Sequence, residues 1–378
     1  MPEHPSGTPQ QAVSDLRVLI AHDWIMSWAG AERVLEQICQ VLPQADVVVG
    51  FMDARMRRFN ALCERAHESW PARLPGARRH YQWLLPLEAL AFRTLDTSKY
   101  DLVVSSSHAF AKSVRPGRRG LHLCYCYSPP RYLWDLHDTY MDRASWQRRG
   151  AMAIGRPALQ VMDRWSAQRV SHFVSLSGYV ARRIQRVYGR HARVLYPPVE
   201  PKPSSHNHRR SDFLLSLGRL VSYKRIDVIV RAAELHGMRT VIAGDGPERA
   251  NLQALAGKRV EFLGAVSEVE AGRLLDECAA FVFCAEEDFG IAPVEANAHG
   301  APVVALRAGG IAETMRDSET AILFDEPTEQ ALANAVVRTR QREWDVQALR
   351  ENAARFSAAR FRSEFTQVLV DVFAGGRW

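Results

Sequence analysis

The chain predicts an α/β fold made of two Rossmann-like halves, and three observations carry that prediction. Short apolar runs recur along the 378 residues, each followed by a glycine, serine or proline turn and then by helix-period sequence, the rhythm of a parallel sheet. A proline- and histidine-rich stretch, Tyr196–His208, interrupts that rhythm once, as a linker does. On its far side, Glu287 and Glu295 stand eight positions apart around Phe289–Gly290–Ile291, directly after the apolar run Ala279–Cys284. The run reads as a buried parallel strand, and Gly290 and Pro293 mark a tight turn and a helix start.

In the first half, Val18–Ala21 reads as a buried strand. His22–Gly30 reads as a turn, and Ala31–Val41 as an amphipathic helix. Val47–Val49 is a second strand. Leu102–Val104 is a third and ends in Ser105–His108. Leu121–Tyr127 is a fourth and ends in Ser128–Arg131. A helical pattern runs from about 144 to 170, and Phe173–Leu176 and Val194–Leu195 close this half. The second half alternates strand and helix from Phe213 to about Ala335. Two helices follow, the last from about 358 to 373. The expected division is a disordered tail over 1–15, an N-terminal domain over 16–198, a linker over 199–212, a C-terminal domain over 213–357, and a terminal helix over 358–378 that returns to the N-terminal domain.

Composition narrows the function. Apolar residues make up 47% and charged residues 24%, ordinary for a globular protein. No run approaches the roughly 18 apolar residues of a membrane span. The six cysteines lack Cys-x-x-Cys spacing and read as buried free thiols in a reducing cytoplasm. The net charge of +7 fits phosphate-bearing or membrane partners. With no helix-turn-helix, zinc-finger or RNA-binding signature, nucleic acid is not expected.

The chemistry gathers at strand-to-glycine-to-helix transitions. Leu214–Leu217 runs into Gly218 and Arg219, with Lys224 five residues on. Val241–Ala243 runs into Gly244–Asp245–Gly246, and Val260–Leu263 into Gly264. Glycines there admit a ligand's close approach, helix N-termini favour anions, and arginine and lysine hold phosphate as a fork and a point charge. A dinucleotide site would need a third glycine after Gly246, where Pro247–Glu248–Arg249 stands instead.

This ordered set resembles the retaining family 4 glycosyltransferases of the GT-B fold, densely from Leu214 to Phe324 and more loosely over most of the chain. The resemblance implies two Rossmann-like domains facing across a cleft. It also implies a nucleotide-sugar donor as substrate and no separate cofactor. Arg219 and Lys224 would meet the diphosphate, Glu287 the sugar hydroxyls and Glu295 the ribose. Backbone around Phe289, Gly290 and Ile291 would meet sugar or phosphate, and the base would lie against Gly264. Gly218 and Gly30 would line the phosphates, Gly30 following Ala29 where many relatives carry a second glycine. His108 would sit over the donor sugar. The catalytic set is thus His108, Arg219, Lys224 and Glu287. No Asp-x-Asp occurs in the chain, so a metal-free mechanism is expected.

The segment Cys124–Asp135 resembles a stretch of bacterial mannosyltransferases that build O-antigen or exopolysaccharide units. That implies GDP-mannose as donor, a lipid-linked saccharide acceptor, and Asp23, Tyr127 and Arg131 on the acceptor side. Between Arg65 and Arg93, arginines mix with Trp70, Tyr81, Trp83 and Phe92, a composition suited to an anionic membrane surface. The expected location is cytoplasmic, peripheral on the inner face of the membrane. A UDP- or dTDP-sugar transferase, a nucleotide-sugar epimerase of similar fold, and a non-catalytic nucleotide- or sugar-binding module are the competing readings.

Overall fold

The computed structural model describes residues 14–141, 146–200 and 210–376. The tail expected over 1–15 and the linker expected over 199–212 fall mostly outside these residues. The chain divides into two compact units: the stretch up to Pro198 together with Ala359 onward, and Val199–Ala358.

The N-terminal unit is built on a seven-stranded parallel sheet. Its strands are β1 (Val18–Ile25), β2 (Asp46–Met52), β3 (His67–Glu68), β4 (Leu102–Ser107), β5 (Leu121–Cys126), β6 (His172–Ser175) and β7 (Ala192–Val194), in the order β3-β2-β1-β4-β5-β6-β7. Every neighbouring pair is parallel, so both faces must be covered, and the central strands are accordingly almost wholly buried. The order reverses between β1 and β4, which makes the carboxyl ends of those strands the crevice where such sheets take ligands.

Three sequence expectations change here. β1 extends through His22, Asp23 and Trp24 to Ile25, where a turn was expected. Pairing with β2 continues to Trp24↔Phe51 and Ile25↔Met52, and the polar side chains find buried partners. The helix expected over 144–170 is Trp146–Ala167. The region 61–93 holds elements that the pattern did not announce: helices Ala61–Arg65 and Leu85–Arg93, and β3, which has two residues and is held by pairing with β2. Helix Leu85–Arg93 buries Leu85, Ala89, Ala91 and Phe92, while Leu90 and the adjoining Trp83 are exposed.

The last helix, Ala358–Phe373, packs within this same unit. Phe361 meets the Tyr125 ring edge-on at 5.8 Å, Arg360 donates to the Tyr196 carbonyl at 2.7 Å, and Arg362 donates to Gln37.

The C-terminal unit has six parallel strands: β8 (Leu214–Leu217), β9 (Thr240–Ala243), β10 (Val260–Gly264), β11 (Ala280–Phe283), β12 (Val303–Leu306) and β13 (Ala321–Phe324), in the order β10-β9-β8-β11-β12-β13. Its switch point lies between β8 and β11. Helix Glu329–Arg340 runs five residues past the expected end of the alternating region, and its Leu332, Ala333 and Val336 join the core with Val228, Ile229 and Val282. All six cysteines are free and buried. Among the described residues no helix is long and apolar enough to cross a membrane.

Candidate functional site

In the C-terminal unit the predicted residues collect at the β8–β11 switch point. Gly218 ends β8 with φ +144°, and its amide donates to the Ala243 carbonyl at 2.9 Å. A Cβ at this position would stand 2.9 Å from Lys224 Nζ, so glycine leaves room for that ammonium. Lys224 lies on the 3-10 turn Ser222–Lys224, and its Nζ pairs with Glu287 Oε1 at 3.1 Å, the two side chains 18% and 19% exposed. The pair is therefore open enough to meet a ligand and enclosed enough for its charges to act beyond what bulk water allows.

Glu287 is fixed through its backbone. Its carbonyl accepts from the Gly310 amide at 2.8 Å, and Gly309, at φ +63°, passes so close that a Cβ would lie 2.1 Å from that carbonyl. Gly290 takes φ +88° and opens helix Ile291–Ala298, on which Ile291 and Glu295 are half-buried. Phe289 turns its side chain inward, edge-on to Phe356 at 5.2 Å, which leaves its backbone as the part available at the turn. Arg219 is exposed, and among the described residues it makes no ion pair. Gly264 closes β10 at φ +74° beside the Arg249 guanidinium, which pairs with Asp245 at 3.0 Å. Gly264 lies two strands from β8, so it does not share the Lys224–Glu287 cluster.

The N-terminal unit assembles a second cluster at the carboxyl ends of β1 and β4. Asp23 is fully buried. Its carboxylate accepts from the amides of His108 at 2.6 Å, Ala109 at 2.8 Å and Ala111 at 2.5 Å, and His108 Nδ1 lies 3.4 Å away. Burial works against its charge, but His108, the Ala111 amide, His22 and Lys112 together hold the carboxyl below its usual range. Asp23 was expected to meet acceptor hydroxyls; with its oxygens occupied by backbone, it instead positions the segment that carries His108. The His108 ring is 27% exposed and stands edge-on to Trp24 at 4.4 Å, and burial lowers its basicity despite Asp23.

Tyr127 also departs from its expected acceptor role. It is buried, and its hydroxyl donates to the Ala31 carbonyl at 2.9 Å and sits 2.8 Å from Ser106 Oγ, which ties β5 to the first turn of helix Gly30–Val41. Gly30 is the first residue of that helix. Glu32 caps it through the Ala29 amide at 3.0 Å, its acidity weakened by burial to a pKa of about 7. Arg131 is half-buried on the turn after β5, and its carbonyl accepts from Leu136 at 2.9 Å. Among the described residues no group of three His, Cys, Asp or Glu side chains gathers to hold a metal ion.

Two family models adjoin along the chain: glycosyltransferase family 4 over residues 28–203, and glycosyl transferases group 1 over residues 200–356. Anabaena HepE, solved with UDP-glucose, superposes with a TM-score of 0.67 at 18% identity, covering 93% of this chain and 99% of that one. The fold is that of the GT-B glycosyltransferases. The GDP-mannose-dependent alpha-(1-6)-phosphatidylinositol monomannoside mannosyltransferase of Mycobacterium tuberculosis is 28% identical over 193 residues, 43% of this chain and 50% of that protein. The D-inositol 3-phosphate glycosyltransferase of a Mycobacterium species is 36% identical over 131 residues, 31% of this chain and 29% of that protein. The chain spans about half the length of the curated relatives it matches first.

Sequence reasoning missed the polar supports inside the N-terminal unit of this GT-B fold. Lys112, 1% exposed, pairs with the fully buried Asp163 at 2.7 Å, and Asp163 also accepts from Trp134 Nε1 at 2.8 Å and Tyr188 Oη at 2.9 Å. Lys112 Nζ donates to the Ala109 carbonyl as well, so the pair braces the segment that Asp23 clamps. His22 Nδ1 meets Ser106 Oγ at 3.0 Å, which extends the chain to Tyr127. A lysine inside the mostly apolar stretch Ala109–Val114 was the one available signal.

Proposed function

We propose that the protein is a retaining, metal-independent glycosyltransferase that moves a sugar, mannose from GDP-mannose, onto a lipid-linked saccharide in polysaccharide synthesis. The Lys224–Glu287 pair at the β8–β11 switch point carries this reading. As the bond from the anomeric carbon to the diphosphate breaks, negative charge grows on the leaving oxygen and positive charge on the sugar. A preorganised ammonium and carboxylate serve those two ends. Arg219, unpaired among the described residues, adds a forked donor for the diphosphate. With no carboxylate nucleophile identified, the departing phosphate oxygen takes the acceptor proton on the same face. His108, kept neutral by burial, offers hydrogen bonds to a sugar without adding charge. The mannose assignment draws support from the Cys124–Asp135 resemblance and the mannosyltransferase relative. A second reading, a UDP-sugar donor, is supported by the complex of HepE with UDP-glucose.

The decisive measurement compares GDP-mannose with UDP- and dTDP-sugars for transfer and slow hydrolysis, with and without EDTA. Lys224→Ala and Arg219→Ala are expected to lower kcat about 10²–10³-fold, and Glu295→Ala to raise the donor KM. Unchanged kinetics in these variants, or an EDTA loss restored by manganese, sinks the proposal. Tight nucleotide binding without turnover points to a binding module instead. Peripheral contact with an anionic membrane belongs to the same proposal, and a lack of co-sedimentation with anionic vesicles removes that part.

A further inference from the structure

We propose that a cavity at the carboxyl ends of β2 and β3 binds a phosphate or diphosphate group carried by the second substrate. The cavity measures about 590 Å³ and is lined by Arg57, His67, Glu68, Arg73, Leu74 and Arg78, all within the N-terminal unit. That volume lies within the range of small-molecule sites, about 300–1,000 Å³, and leaves space beyond a diphosphate for part of a sugar.

Glu68 organises the site. Its side chain is 8% exposed, and both of its oxygens are occupied. Oε1 accepts from the Met52 amide at 3.0 Å and Arg78 Nε at 3.3 Å; Oε2 accepts from Arg78 Nη2 at 2.8 Å and from Arg57 Nη2. One buried carboxylate thus anchors two guanidinium groups and fixes them to the end of β2. Each guanidinium has five N–H donors, far more than that carboxylate can accept. Arg73, exposed on the same lining, makes no ion pair among the described residues. Among the lining side chains three guanidinium groups stand against one carboxylate, Glu68, with Asp53 acting on Arg78 from outside the lining.

Preorganised, forked and under-neutralised donors are what a phosphate group selects over a neutral sugar. Glu68 ends β3 and Met52 ends β2, and since all strands of this sheet are parallel, these ends lie along the same edge as the end of β4 that leads into His108. Leu74, and Trp70 close by in sequence, are 40% and 42% exposed, so an apolar group attached to the phosphate meets apolar surface next to the cations.

The identity of the carrier as acceptor rests on the transferase reading; the anion site itself does not. Titration calorimetry of the intact chain with inorganic pyrophosphate, and separately with geranyl diphosphate, tests it. With GDP present to occupy the diphosphate residues of the C-terminal unit, binding is expected to weaken about tenfold or more in Arg73→Ala and Arg57→Gln. GDP binding is expected to be unchanged in Arg73→Ala. Tighter binding of geranyl diphosphate than of pyrophosphate assigns the site to a lipid-carried diphosphate, and equal binding assigns it to a soluble one. Wild-type affinity in Arg73→Ala, or no binding by the native chain at millimolar pyrophosphate, overturns the proposal. If no nucleotide binds and the Arg73 dependence remains, the anion site stands and the transferase reading falls.

Discussion

The two units solve the same problem, a rigid sheet edge that presents polar groups, with different materials. The C-terminal unit uses backbone. Gly218, Gly244, Gly290 and Gly309 all hold positive φ, and at Gly244 a Cβ would lie 1.9 Å from the Gly218 carbonyl. Its charged pair, Lys224 and Glu287, remains about a fifth exposed. The N-terminal unit uses buried charge. Asp23, Lys112 and Asp163 are essentially inaccessible, and they spend their hydrogen bonds on backbone and on one another to hold the segment bearing His108. Glycine turns leave functional side chains free for ligand, whereas buried charges are consumed in support. The same residue type, an acid near a strand end, therefore has different duties in the two halves.

Paired substitutions break this comparison most sharply. Lys112→Met leaves Asp163 buried without its counter-charge and is expected to cost about 3–5 kcal/mol of N-terminal-unit stability. Gly309→Ala forces a left-handed backbone and a clash with the Glu287 carbonyl, and is expected to cost the C-terminal unit about 1–3 kcal/mol. Hydrogen exchange resolved by segment, alongside denaturant melts, reads both. Equal loss of protection in the two units from either variant would show that buried charge and glycine backbone do not divide the labour this way.

A smaller effect comes from pH. Burial lowers the His22 pKa from 6.5 to about 4 and the His122 pKa to about 3. Both are neutral in the fold, so an unfolded chain takes up their protons first as the medium is acidified. Their contribution is complete above pH 6.5 and drains away below it. Glu32 runs the other way: raised to about 7, it favours the fold below pH 4.5, and that contribution fades as pH climbs through 7. The two trends nearly cancel between pH 8 and pH 6, leaving a net loss of about 0.3 kcal/mol that steepens below pH 6. Exchange protection in β1 and β5 should fall before that in β8 and β11; the reverse order would place the acid-sensitive groups elsewhere.

What could be read from sequence follows the same divide. Gly218, Gly290 and the Glu287–Glu295 spacing are local signals, because a glycine turn and the helix it opens lie within a dozen residues. The alternation of apolar runs and turns likewise announced both sheets. The Lys112–Asp163 pair joins residues 51 positions apart, and no local pattern links them. Asp23 looked like a loop residue because a strand interior seldom holds an acid, and only the three amides downstream of β4 make it tolerable there. β3 was invisible because two residues carry no period; its existence depends on β2.

The return of Ala359 onward to the first unit means that Val199–Ala358 is an insertion within it. A ribosome therefore releases all of the inserted unit before the host unit receives its last helix. The N-terminal unit, despite its name, is the later of the two to be completed. Trimming the carboxyl terminus is thus an injury to the front half of the chain. Joining the chain ends and reopening it near either junction would yield the inserted unit as one uninterrupted terminal block.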